Sequence, residues 1–136
     1  MQTSKYQFAL DLHDTQSQIC LMATQGDTGR EFVISFSDGG EPYSLKGVHT
    51  VQLFIQRPNM TVLEWGDENG GANPRLVVEE DGSVSQVIYK FTPDTCKEYG
   101  LHDCQLVFYG DDAKTEEIWS PCFSLFVNKK KRALMT

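Results

Sequence analysis

Two runs of strict alternation constrain this chain more than anything else in it. Phe32, Ile34 and Phe36 fall on one side of a pleat, with Glu31, Ser35 and Ser37 on the other. Val51, Leu53 and Ile55 repeat the pattern against Gln52 and Gln56. Successive strand side chains point to opposite faces, so each run offers one apolar face and one wetter face. An apolar sheet face has to be buried against a second layer. The same reading extends to Tyr6–Leu12, where Phe8, Leu10 and Leu12 share a face, and to Ser17–Met22, Thr61–Trp65, Leu76–Val78, Val84–Phe91, Leu106–Tyr109 and Glu116–Trp119. Cys122–Asn128 closes the series, with Phe123, Leu125 and Val127 in phase.

Turn signals separate these runs. In Gln25–Arg30 two glycines supply unusual dihedrals and Asp27 bonds its own backbone nearby. Asp38-Gly39-Gly40 and Asp111–Lys114 are further turns, and Gly66–Pro74 is a loop rich in breakers. Asp81-Gly82 between apolar runs is a hairpin signal. Thr92-Pro93-Asp94 has the character of a helix start, but Gly100 stops it within about two turns. The pattern predicts an all-β fold: an immunoglobulin-like antiparallel β-sandwich with Greek-key connections, about 8–10 short strands and at most one short helical turn. The lack of long helical periods argues against parallel βαβ architectures.

At 136 residues and 40% hydrophobic, the chain is long enough for one core. We expect a single sandwich domain over residues 1–128 and a basic tail or linker stub over 129–136. The first residues, Met1–Tyr6, lack the charged start and apolar stretch of a secretory signal, and no apolar run approaches the roughly 20 residues that span a bilayer. The expectation is therefore no membrane insertion and no secretion by signal peptide. The net charge of −7 is unevenly spread. Lys129, Lys130, Lys131 and Arg132 hold four of the twelve basic residues, which leaves eight basic against nineteen acidic side chains in the preceding 128 residues. A body so acidic repels a phosphate backbone, so no nucleic-acid partner is expected. The basic cluster reads as a solvated end. Of the four cysteines, Cys20, Cys104 and Cys122 lie in apolar, strand-like surroundings, where a free thiol behaves as a small hydrophobe.

No motif carries covalent chemistry. His102-Asp103-Cys104 with Cys96 and Cys122 suggests zinc, but there is no Cys-x-x-Cys pair and Cys104 is in phase with Leu106 and Phe108. The acidic pairs Asp67-Glu68, Glu79-Glu80, Asp111-Asp112 and Glu116-Glu117 match no EF-hand loop and sit at turns, where charge is solvated cheaply. Gly26–Arg30 lacks the Gly-Lys-Ser/Thr ending of a phosphate loop, and no serine stands in a Gly-x-Ser-x-Gly elbow. Trp65 lies too far beyond Cys20 for the core tryptophan and disulfide of an antibody domain. No catalytic residue, metal ligand or cofactor is assigned. Trp65, Tyr109 and Trp119 are the aromatic candidates for stacking on a sugar, and Trp65 and Trp119 are the basis of an alternative reading as a carbohydrate- or cell-wall-binding module.

The order of several short motifs resembles the N-terminal domain of the phage baseplate upper protein family, found in tail-associated structural proteins of phages and prophages of Gram-positive bacteria. The Gln-Gly-Asp-Thr-Gly turn is Gln25, Gly26, Asp27, Thr28 and Gly29; the Pro-x-x-Leu-x-Gly segment supplies Pro42, Leu45 and Gly47; and a strand ends near Pro58. Gly100-Leu101-His102 stands where Gly-x-Tyr is usual, so His102 replaces a tyrosine and its imidazole is left to donate one hydrogen bond. Phe123, Leu125 and Val127 complete the pattern, which covers most of Ser17–Asn128. The resemblance implies a non-enzymatic assembly module of the virion tail baseplate. Such a module is made in the bacterial cytoplasm, docks on neighbouring tail proteins and is homo-oligomeric in the assembled particle. Tyr6–Met22 and the Gly66–Pro74 loop are the candidate contacts. Relatives continue into longer parts that trimerise or bind receptors, and receptor binding is not implied for this chain.

Overall fold

The alternating runs become strands whose inward side chains meet between two stacked sheets. The protein is described by a computed structural model covering residues 4–14, 16–66, 73–111 and 115–131. Strands β1 (Ser4–Asp11), β3 (Arg30–Asp38), β4 (Glu41–Tyr43), β7 (Arg75–Val78) and β8 (Val84–Lys90) make one sheet. Its order is β1-β3-β8-β7, with β4 also paired to β3. Strands β2 (Gln16–Thr24), β5 (Thr50–Gln56), β6 (Val62–Gly66), β9 (Gly100–Tyr109), β10 (Glu117–Trp119) and β11 (Cys122–Asn128) make the other. Its order is β2-β11-β9-β5-β6, with β10 also paired to β9.

The all-β sandwich expected from the alternation is what the chain adopts, with β3, β8 and β7 in the B, E and D positions of an immunoglobulin-like fold and β11, β9, β5 and β6 in G, F, C and C′. Two details differ from expectation. The sheets are mixed rather than antiparallel throughout, because β1 runs parallel to β3 and β2 runs parallel to β11. The first two strands are joined by a turn that carries the chain from one sheet to the other, so each becomes a parallel edge strand rather than half of a hairpin. Among the described residues there are eleven strands rather than eight to ten; the one that no alternating run announced is the three-residue β4, whose Pro42 sits opposite Ser37. The segment from Thr92 contains successive turns and no α-helix: Thr95 N–H donates to the Thr92 carbonyl (3.1 Å), and the Thr95 hydroxyl accepts from Thr92 N–H (2.9 Å).

The core is aromatic at one end. The Phe32 ring lies 5.0–6.1 Å from those of Tyr6, Phe8, Tyr89, Phe91 and Phe123, with edge contacts to Phe8, Phe91 and Phe123. Phe36 meets Phe108 across the sheets at 5.3 Å, and Leu10, Ile34, Leu53, Ile55, Leu106 and Leu125 fill the space between. Tyr89 is buried, and its hydroxyl is bonded to Thr95 Oγ1 (2.7 Å), so the one polar atom of that ring is satisfied.

The edge of β9 shows how a break in a ladder is repaired. β10 and β11 follow one path, interrupted at Ser120-Pro121, where proline has no N–H to give. Buried Ser120 bridges the gap: its N–H donates to the Leu106 carbonyl (2.9 Å) and its hydroxyl accepts the Leu106 N–H (3.0 Å).

Phe32→Ala removes the ring that the two sheets share. It should cost about 3–5 kcal/mol of unfolding free energy. The check is a fall in the urea midpoint with an unchanged slope of free energy against denaturant.

Candidate functional site

The residues singled out by sequence gather mainly at one end of the sandwich, and there they bind the chain to itself. In the turn after β2, Asp27 accepts hydrogen bonds from Thr24 N–H (2.9 Å) and Arg30 Nε (2.7 Å). Gln25 N–H reaches the Asn128 carbonyl (2.8 Å), Gln25 Nε2 the Lys97 carbonyl (3.1 Å), and Gly26 N–H the Cys96 carbonyl (2.8 Å). One turn thus ties together the start of β3, the end of β11 and the 92–99 segment. Gly26 has φ +88°, a backbone conformation that favours glycine, and the end of the Lys130 side chain lies against it, 2.5 Å from where a Cβ would stand. Gly29 has ordinary negative-φ geometry, contrary to the expectation of two unusual dihedrals; its carbonyl accepts from Ser4 N–H (2.8 Å). Thr28 is exposed. Arg30 also lies 5.4 Å from the centroid of the Tyr6 ring, whose hydroxyl donates to the Met22 carbonyl. Burial pushes the Tyr6 phenol above its usual range, and Arg30 opposes the shift.

Pro58 and Gly100, distant in sequence, touch. Gly100 has φ +121°, and a Cβ there would stand 2.8 Å from Pro58 Cγ. Beside them Arg57 pairs with Glu98 (3.5 Å). His102 is fully buried; its Nδ1–H donates to the Gly100 carbonyl (3.0 Å), while Nε2 has no partner among the described residues. The imidazole therefore makes the single bond expected of it. Burial lowers its pKa, against the opposing pull of the Gly100 carbonyl and Glu98. At the opposite end Leu45 is buried and exchanges both backbone hydrogen bonds with Val84 (2.9 and 2.7 Å), and Gly47 faces Gly110 through its carbonyl.

Among the described residues no three His, Cys, Asp or Glu side chains come together to hold an ion. All four thiols are free; burial pushes Cys96 up to about 12 and Cys104 well above its ordinary value, which leaves them as thiols. Cys20 is exposed on the outer side of β2 rather than packed in an apolar interior. The carboxylates at turns hold hydrogen bonds: Asp81 from Ser83, Asp111 from Thr115 and Glu116 N–H, Glu117 from the Trp119 indole (3.1 Å). Residues 67–72, which include most of the Gly66–Pro74 loop and the Asp67-Glu68 pair, lie outside the described residues, as do 112–114 and 132–136.

The aromatic candidates part company. Trp65 is half-buried and points inward, its ring 5.1 Å from Tyr89. Trp119 is 48% exposed and stacks on Phe54 at 5.9 Å, on the outer face of the six-stranded sheet. That face carries a feature no single motif announces. Met22, Phe126 and Leu101 stand in register on β2, β11 and β9 and are 58%, 38% and 51% exposed, making one apolar row across three strands. A polar row of Cys20, Ser124, Asp103 and Gln56 separates it from Trp119 and Phe54. The alternating e and i pattern of β2 hinted at its half, but only the register assembles the row.

No helix among the described residues is long and apolar enough to cross a membrane. Neither a protein-family model nor a curated protein matches the sequence. Among solved structures, the N-terminal domain of phage TP901-1 ORF48 shares the fold. It aligns over 93% of this chain and 100% of that one, with a TM-score of 0.63 and 14% identity. At that identity the likeness is one of fold.

Two outcomes follow from the end clamp. Asp27→Ala strands Thr24 N–H and Arg30 and should lower stability by about 1–2 kcal/mol, with Asp27→Asn in between because its amide oxygen still accepts the backbone bond; chemical denaturation reads both. His102 contributes a pH dependence of definite sign. Unfolded, it takes up a proton near pH 6.5, whereas folded it resists one, so stability present above about pH 6.5 is lost as pH falls through the lower folded pKa. The unfolding free energy of the native protein should fall relative to that of His102→Phe between about pH 7 and about pH 5.

Proposed function

We propose that this chain is a non-enzymatic structural module of a phage or prophage tail baseplate, docking as a sandwich over residues 1–128 on a neighbouring tail protein. Two things support the reading. The motif order resembles that of the baseplate upper protein domain, and the fold is shared with a domain of a phage protein. The single observation that carries the docking role is the apolar row Met22-Phe126-Leu101, set on an otherwise mixed sheet exterior and bounded by polar side chains. Contiguous exposed apolar surface of this kind marks protein contact sites, whereas isolated apolar residues do not. The occupant is another tail protein with a matching apolar patch. Its affinity is multiplied by repetition around a symmetric tail, in which this chain is present in several copies. The work is done in the virion, with no cofactor, nucleic acid or membrane insertion.

The test is binding to the tail proteins encoded beside this chain, each purified and titrated separately. One of them should form a defined complex, and the double substitution Met22→Glu with Phe126→Glu should weaken it by at least roughly tenfold, with the thermal midpoint of the free protein unchanged. An undiminished affinity in the double variant, or no complex with any of them, defeats the reading.

A further inference from the structure

The fold sorts charge along the length of the sandwich. Basic side chains that are scattered through the sequence converge on one end. Arg30 starts β3, Arg75 starts β7 and Lys90 ends β8, while Lys97, Lys130 and Lys131 stand around the Gln25–Arg30 turn. Strand pairing brings these points together: Ser4 lies beside Arg30, Glu31 beside Lys90, and Asn128 beside Thr24. The opposite end is acidic. Residues 11–14, 38–41 and 79–81, and residues 111 and 115–117, each carry two or three carboxylates. Lys46 is the one lysine or arginine among the described residues there.

The two ends also differ in how their charge is used. Every ion pair of a carboxylate with lysine or arginine among the described residues lies at the basic end: Lys5 with Glu31 (3.8 Å), Arg30 with Asp27 (2.7 Å) and Arg57 with Glu98 (3.5 Å). These pairs consume most carboxylates of that end. Arg75, Lys90, Lys97 and Lys131 are left with no carboxylate partner among the described residues. At the acidic end, hydrogen bonds from His13 N–H, Ser83 and Thr115 hold the Asp11, Asp81 and Asp111 carboxyls below the usual carboxylate range, so the charge stays on them. The ends are about 30 Å apart, the length of the ten-residue β9 at the usual rise of a strand. A Debye length of about 8 Å at physiological salt lets each end act on what it touches, with little repulsion from the rest of a molecule of net charge −7.

We propose that copies of this chain associate head to tail, the acidic end of one seated on the basic end of the next. A second copy fits because every copy carries both halves of the contact, uncompensated carboxylates at one end and surplus lysine and arginine at the other. The contact is heterologous, so it builds a ring or an open row rather than a two-fold dimer. This rests on the presence of several copies in the proposed function and not on the apolar row. Exposed pairs are individually weak, so the dissociation constant is about 0.1–1 mM, and copies held close together in one particle strengthen it.

The test is sedimentation velocity on the full chain alone, over a concentration series up to about 1 mM, at about 50 mM and about 500 mM NaCl. The mean mass should rise with concentration at low salt and return to that of the monomer at high salt. Lys97→Glu with Lys131→Glu, and separately Glu41→Lys with Glu80→Lys, should each give a monomer with a native melting transition. Mixing the two variants should restore association, because the intact acidic end of the first meets the intact basic end of the second. Three results would overturn the proposal: a monomer at every concentration in low salt, association that persists in high salt or survives either charge reversal, or reversed variants that stay monomeric when mixed. Because no other protein is present, none of these results bears on docking to another tail protein.

Discussion

Burial of the Phe32 ring between two sheets is the interaction on which the rest of the molecule depends. Phe32 comes from the first sheet and meets Phe123 of the second at 5.5 Å, with Tyr6, Phe8, Tyr89 and Phe91 around it. Hydrophobic burial has no direction of its own, but alternation gives it one: the same period that puts Phe32, Ile34 and Phe36 inside puts Glu31 and Ser35 outside. A slip of one residue in β3 would invert both sets, so the register of the whole sheet is held by this core.

The end clamp follows from that packing and is separable from it. Sandwich ends are where strands stop and backbone groups lose their ladder partners. The Gln25–Arg30 turn meets that need with side-chain and backbone bonds to Asn128, Cys96 and Lys97, and glycine at position 26 lets Lys130 of the basic tail lie against it. The residues that give the family resemblance are thus mostly structural. Gly100 and Pro58 are in contact because one bend must pass the other closely, and His102 fills the corner beneath them. Motif residues that close a fold leave the surface free to carry function, and here one sheet exposes an apolar row.

The element map was largely legible. Alternation located nearly every strand, and Asp81-Gly82 marked the β7–β8 hairpin. β4 escaped because three residues including Pro42 have no period to read. Strand direction escaped for a different reason. Tyr6–Leu12 alternates identically whether its neighbour runs parallel or antiparallel, so the parallel pairing of β1 with β3 has no local signature. Cys20 was misplaced because in β2 the apolar set alternates between Ile19-Leu21 inside and Cys20-Met22 outside, and both sets are apolar.

By itself the sequence determined the all-β class, the inward residues and the positions of the turns, because each of these rests on local period or local residue chemistry. Tertiary structure alone decided which strands are neighbours, in which direction they run, and so which exposed side chains stand side by side. Met22, Leu101 and Phe126 become a surface only through pairings between segments far apart in the chain. Such pairings are set by the free energy of the packed whole, and no short window of residues encodes them.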